Sequence, residues 1–284
     1  MSSSDTTQVA VPLHRIIIEP SKGWKIIEWR ELLEYRDLLY FLVLREITVL
    51  YKQTIFGFAW ALITPVFSMV VFTVIFGTVG NLPTDGQARP IFYYAGVLPW
   101  TYFQNAMTTS ANSLISGANI FSKVYFPRMF IPLVPILSKL VDLAIAFALV
   151  IVLMCYYRIA PTFELVYLPL LLLLLILTAS GMGMWLSALS IQFRDVRFAV
   201  AFCVQLLMYA APVVWTATSI PEKYRLWYGL YPLAGVIDGF RVAILGGRPM
   251  PWDLIGMGAI SAIVMFVTGA LYFRRTERIF VDVV

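Results

Sequence analysis

The chain is poor in the side chains that do chemistry. Among 284 residues there is one histidine, His14, and there are two cysteines, Cys155 and Cys203, each inside an apolar run. A histidine-based metal site or catalytic triad within one chain is excluded, and neither a CxxC pair nor a disulfide framework is offered. No glycine precedes any lysine, so the GK[ST] end of a P-loop cannot occur, and HExxH and GxSxG are missing too. This chain does not bind ATP by the P-loop route. Charge is scarce as well, at 13% of residues, roughly half of what a soluble domain carries.

What is present is apolar. Hydrophobic residues make up 60% of the chain and the mean hydropathy is +0.82. The apolar runs are about 20 residues long, enough to cross some 30 Å of hydrocarbon as a helix. They lack the strict alternation of a membrane barrel, so an all-α integral membrane protein is expected. The polar start Ser2–Thr7 and the brief Ile16–Ile18 predict no cleavable signal. The net charge of +5 is explained by basic residues in cytoplasmic segments, and no nucleic-acid partner is inferred.

Residues 1–23 read as a polar tail and residues 24–56 as an interfacial region. Trp24, Trp29 and Tyr35 there are headgroup-level residues. Read as a helix, the stretch from Arg36 puts Glu34, Asp37, Arg45, Thr48 and Lys52 on one face, with Phe41 interrupting. Leu38, Leu39, Leu42, Val43, Val49 and Leu50 fall on the other, suited to acyl chains. Gly57 marks a bend into the first span. Such a helix is either a lever between a cytosolic partner and a pore or a simple anchor.

Residues 57–275 read as six spans, about Phe58–Val79, Ile91–Ile115, Leu133–Tyr156, Leu165–Leu189, Phe198–Thr218 and Leu254–Phe273; a cytoplasmic tail, 276–284, follows. Pro65 is expected to kink the first. The second carries a polar row, including Gln104, Asn105, Thr108 and Asn112, that is either a pore wall or interhelical packing. The third holds Lys139 and Asp142, three apart on one face, either an intramembrane functional pair or a neutralising salt bridge. Before the sixth, Glu222–Leu230 and Leu233–Leu245 read as two amphipathic pieces broken at Pro232, forming a re-entrant external hairpin. Counting Lys and Arg gives about 14 inside and about 6 outside with both termini cytoplasmic.

Aromatic residues gather near the external ends of spans: Tyr93, Tyr94, Trp100, Tyr102, Trp215, Tyr224, Trp227, Tyr228 and Tyr231. They form either an ordinary aromatic belt or a lining on which sugar rings stack, with the polar row supplying hydrogen bonds.

Five motifs in order then carry a resemblance. Arg45, Tyr51-Lys52-Gln53, Gly57 and Trp60 precede the first span, and Ala95-Gly96-Val97-Leu98-Pro99-Trp100 opens the second. Asn119 with Lys123-Val124-Tyr125-Phe126-Pro127-Arg128, then Phe193-Arg194-Asp195, occupy the cytoplasmic loops, and Tyr231-Pro232-Leu233 lies in the hairpin. From about residue 36 to 275 the chain resembles the membrane subunit of type-2 ABC exporters, in the branch exporting O-antigen, capsule and teichoic acid. The resemblance implies a homodimer in the bacterial cytoplasmic membrane with two copies of a separate ATPase subunit that holds ATP and magnesium, and no cofactor on this chain. It implies that Arg45, Lys52, Asn119, Lys123 and Arg128 serve ATPase coupling or a lipid-diphosphate headgroup. It also implies a substrate path past Tyr93, Trp100, Tyr102 and the polar row, and an external gate built on Trp215, Tyr224, Trp227, Tyr228 and Tyr231. An exporter of a small drug or lipid, and a membrane glycosyl or prenyl transferase, are the alternatives. The transferase is disfavoured because Asp142 stands as the only acidic residue well inside a span.

Overall fold

The computed structural model describes residues 34–52, 57–117 and 126–277. The N-terminal tail, residues 24–33 and 53–56, Asn119, Lys123 and the last residues of the C-terminal tail lie outside the described residues. Everything described is helical or loop. The first helix, α1 (Arg36–Lys52), lies outside the core and buries no residue fully. Its charged face is exposed as its spacing requires, and Phe41 is exposed beside it. The opposite face departs from expectation. Leu38, Leu39 and Leu42 pack on a small apolar cluster around Phe126, Phe130, Met184 and Phe273, so part of the leucine stripe meets protein.

Gly57, at φ +47°, takes a backbone conformation that L side chains resist and turns the chain into the first membrane rod. That rod runs over Gly57–Val79: a 3-10 turn, α2 (Trp60–Phe72) with Pro65 inside it, and a π-helical end, Thr73–Val79. Among the described residues three further rods are long and apolar enough to cross a membrane: α4 (Phe130–Tyr156), α5 (Leu168–Gln192, extended backwards to Phe163), and α9 (Trp252–Thr276). The bounds follow the sequence reading within a few residues because charge, Pro and Gly end each apolar run.

Two expected spans differ. Helix α3 (Arg89–Ser116) has 28 residues, about 42 Å of helix, but its polar row keeps it from qualifying on composition. It stands at the centre of the bundle, packed by α4, α5, α8 and the first rod; Ser110 donates to the Pro132 carbonyl of α4, while Thr108, Thr109, Ser113 and Ser116 donate to carbonyls of α3 itself. Helix α6 (Val196–Ala210) has 15 residues, about 22 Å, and is too short to cross alone. The expected fifth span, to Thr218, therefore ends early. Pro212 is the reason: it disfavours the helical region at the residue before it, and Ala211 is extended at ψ 147°.

The hairpin is present. Helices α7 (Glu222–Gly229) and α8 (Pro232–Leu245) meet at 107°. Counted as one broken span they raise the four membrane rods to five. Every residue of α8 is buried, against α3, α5 and α9.

Candidate functional site

Two features that are far apart in sequence meet in one cavity of about 280 Å³. Its walls come from the end of α1, the start of the first rod, the polar side of α3 and the charge pair of α4. Asn105 and Thr109 face it from α3, Lys139 and Asp142 from α4, and Tyr51 and Trp60 from the α1–α2 junction. Lys139 Nζ donates to Asp142 Oδ2 at 3.0 Å, the i,i+3 bridge that the spacing predicted. Glu46 of α1 lies within electrostatic reach of the same ammonium.

A second polar cluster sits under the hairpin. The Arg241 guanidinium is wholly inside the protein, its carbon 4.0 Å from the centre of the Phe92 ring. It donates to the carbonyls of Pro212, Val213 and Trp215 at 2.9–3.1 Å. Asp238, also fully buried, is 3.8 Å from it and is hydrogen-bonded by Arg248, which reaches on to Asp85. Arg241 thus ties the non-helical stretch after α6 to α8, and Arg248 ties both to the loop after the first rod.

A family model for ABC-2 type transporters matches residues 37–245, well over half the chain. The chain belongs to the ABC-2 type transporter membrane family. Among its relatives is the O-antigen export system permease protein RfbA of Myxococcus xanthus, 26% identical over 253 residues, covering 87% of this chain and 96% of that one. A protein of the same name from Klebsiella pneumoniae is 25% identical, with 87% and 95% covered. The polysialic acid transport protein KpsM of Escherichia coli is 22% identical over 240 residues, with 83% and 92% covered.

Within this ABC-2 subunit the expected site residues separate into groups. Arg45 and Lys52 are exposed on α1. Arg128 is not free: it donates to the Glu277 carbonyl at 3.0 Å and pairs with its carboxylate, joining the loop before α4 to the end of α9. Tyr93, Trp100 and Tyr102 are buried in the core. The Tyr102 hydroxyl donates to the Ile136 carbonyl at 3.0 Å and the neighbouring Tyr94 to Ala146 at 2.8 Å, bracing α3 on α4. Trp100 donates to Gln104 at 2.9 Å. Thr108 donates to the Gln104 carbonyl, and Asn112, which is exposed, to that of Thr108.

The external aromatics divide as well. Trp215, Tyr228 and Tyr231 cluster with ring centres 5.5 and 6.4 Å apart. They donate to the carbonyls of Tyr209, Ala210 and Leu207 in the last turn of α6; helix-end carbonyls such as those of Tyr209 and Ala210 lack helical partners, while that of Leu207 also accepts from the Ala211 N–H. Tyr224 and Trp227 instead stand in the open, at 54% and 74% exposure.

Asp238 and Arg241 lie in the piece read from sequence as part of an external hairpin, so Asp142 is not the only deeply placed acid. The signal was there: in GVIDGFRVAIL two opposite charges three residues apart interrupt an apolar helix, the pattern already noticed at Lys139 and Asp142.

The inner pair has a measurable signature. Both side chains keep some solvent contact, 14% for Lys139 and 20% for Asp142. Lys139→Met alone is expected to cost about 1–3 kcal/mol, below the range for fully enclosed pairs, because Asp142 loses its donor. The double variant Lys139→Met/Asp142→Leu is expected to restore much of that. Thermal unfolding of wild type and the two variants in detergent checks it; equal losses in the single and double variants would contradict it.

Proposed function

We propose that this chain is the membrane half of an ATP-driven exporter of lipid-linked polysaccharide in the bacterial cytoplasmic membrane. The observation that carries the proposal is its near full-length likeness to permeases named for O-antigen export and for polysialic acid transport, two different glycans. The missing GK[ST] sequence agrees with ATP and magnesium being held by a separate subunit, two copies per complex.

Two copies of the chain form the pore, with six spans each and both termini cytoplasmic. The α2 rod and α6 expose Phe67, Val70 and Val74, and Phe198, Phe202 and Leu206, apolar surface for a second copy and for lipid. Helix α1 and the loop at 117–128 receive the ATPase. The exposed Arg45 and Lys52, with Lys123, attract the carrier diphosphate at the cytoplasmic surface, and Arg128 joins them where its pairing with Glu277 opens. The glycan moves past the hydroxyl and amide groups of α3 that keep some exposure, Gln104, Thr108 and Asn112, by many weak contacts, since tight binding at one point would stall it; Tyr93, Trp100 and Tyr102, buried in the core, brace that wall. The aromatic arm α7 gates the outer side.

Deleting the chain and separating glycans into cytoplasmic and surface pools tests this. Lipid-linked polymer should accumulate inside and vanish from the surface, and linkage analysis would then name it. Unchanged surface glycan would overturn the polysaccharide assignment.

A further inference from the structure

The inner cavity is too small for a polysaccharide path. At about 280 Å³ it lies at the lower edge of ligand pockets, which run from about 300 to 1,000 Å³ and enclose whole small molecules. It has room for one headgroup. Its charge is also specific: one ammonium, Lys139, and one carboxylate, Asp142, face the cavity 3.0 Å apart. They lie in a helix apolar enough to span a membrane, where unbalanced charge is costly. A ligand of one sign alone would satisfy one of the two and leave the other unpaired. A zwitterion brings a partner for each.

The walls extend the argument. Tyr51, whose ring stacks on Phe58 at 4.0 Å, and Trp60 line the cavity at the junction of the surface helix with the first rod, and aromatic rings are favourable neighbours for a cation. The Thr109 hydroxyl spends its proton on the Asn105 carbonyl at 2.8 Å, so toward the cavity it acts as an acceptor. Leu50, Leu98 and Leu143 complete the lining with apolar surface, where the first carbons of an acyl chain would lie.

We propose that this cavity binds the headgroup of a zwitterionic phospholipid bearing a primary ammonium, with the ammonium on Asp142 and the phosphate on Lys139. The ligand would split the existing ion pair and satisfy both halves. A primary ammonium is required because a carboxylate accepts N–H bonds, and a quaternary amine has none to give. The bound lipid would wedge between α1, the first rod and α4, so occupancy of the cavity sets how firmly the surface helix is held. This goes beyond the export reading and does not depend on it, because the test reads bound lipid and not transport.

The full-length chain is purified in detergent, exposed to equal amounts of phosphatidylethanolamine, phosphatidylcholine and phosphatidylglycerol, and examined by native mass spectrometry. Wild-type protein should retain phosphatidylethanolamine over the other two by about fivefold or more. The double variant Lys139→Met/Asp142→Leu should retain the three in the proportions supplied. Thr64→Phe, at an exposed position on the cavity wall, fills the space without touching either charge and should lose the same preference. Preference for phosphatidylglycerol, equal retention of ethanolamine and choline lipids, or an unchanged preference in Thr64→Phe would each overturn the proposal. So would displacement of the bound phosphatidylethanolamine by an isoprenoid diphosphate, which would make the cavity a substrate subsite.

Discussion

Replacing Arg241 by Leu is expected to cost about 3–5 kcal/mol, the loss seen when one partner of a buried charge network is removed. Set against a total stability of about 5–15 kcal/mol, that is enough to leave much of the protein unfolded or degraded. The reasons are additive. Three carbonyls, of Pro212, Val213 and Trp215, lose their donor, the first two at buried positions. They follow a helix that Pro212 has prevented from continuing, so no backbone N–H takes over. Asp238, fully buried, keeps only Arg248. Lysine at 241 should be intermediate, because one ammonium restores charge but cannot reproduce a planar fork aimed at separate carbonyls. A control sits nearby. Arg225 pairs with Asp253 at a partly exposed site, and Arg225→Leu should cost less than about 1 kcal/mol. Fluorescence-detected size exclusion with a thermal ramp reads all three variants; an Arg241→Leu protein as heat-stable as wild type would show that the carbonyls are satisfied otherwise.

Gly269→Val should be at least as damaging, through shape and not charge. Helices α5 and α9 approach so closely that a Cβ at Gly269 would collide with the Gly181 carbonyl oxygen. From the other side, a Cβ at Gly181 would lie 2.6 Å from the Phe266 nitrogen. Both obstacles are backbone, so no rotamer change relieves them. The helices must part, and with them the stacked Trp185 and Tyr272 rings, 4.6 Å apart, and the Trp185–Thr268 hydrogen bond. Overpacking ordinarily costs about 1–3 kcal/mol, and a backbone obstacle belongs above that range. Small residues at a membrane helix crossing exist to permit this approach. Gly256, on the same helix, has nothing within 4 Å of its missing Cβ, so Gly256→Ala should be neutral or stabilising by up to about 1 kcal/mol. If Gly269→Val and Gly256→Ala gave the same yield and melting temperature, the close crossing would be wrong.

The elements that could be read from sequence are those set by local pattern. Long apolar runs ended by Gly, Pro or charge placed the Gly57–Val79 rod, α4, α5 and α9, and Pro232 placed the break between α7 and α8. The Lys139–Asp142 bridge was legible for the same reason, since three residues of helix put the two on one face. What escaped depends on distance in sequence. Arg241 finds its acceptors 26–29 residues earlier, and the inner cavity draws walls from residue 50 to residue 146. The burial of Tyr93, Trp100 and Tyr102 was hidden likewise, because an aromatic near a span end looks the same whether it faces headgroups or a carbonyl on the next helix.

The broken hairpin is unequal, and its inequality predicts how variation should be tolerated. One arm is enclosed from Pro232 to Leu245; the other, from Glu222 to Gly229, is mostly open to its surroundings. In a saturation library selected first for expression and then for surface polymer, the two arms should part company. Changes between 232 and 245 would be eliminated at the first step, before export is ever examined. Changes at Tyr224 and Trp227 would pass it freely and be judged only at the second. The short bend at 229–231 is therefore the boundary between residues whose variation costs the fold and residues whose variation does not.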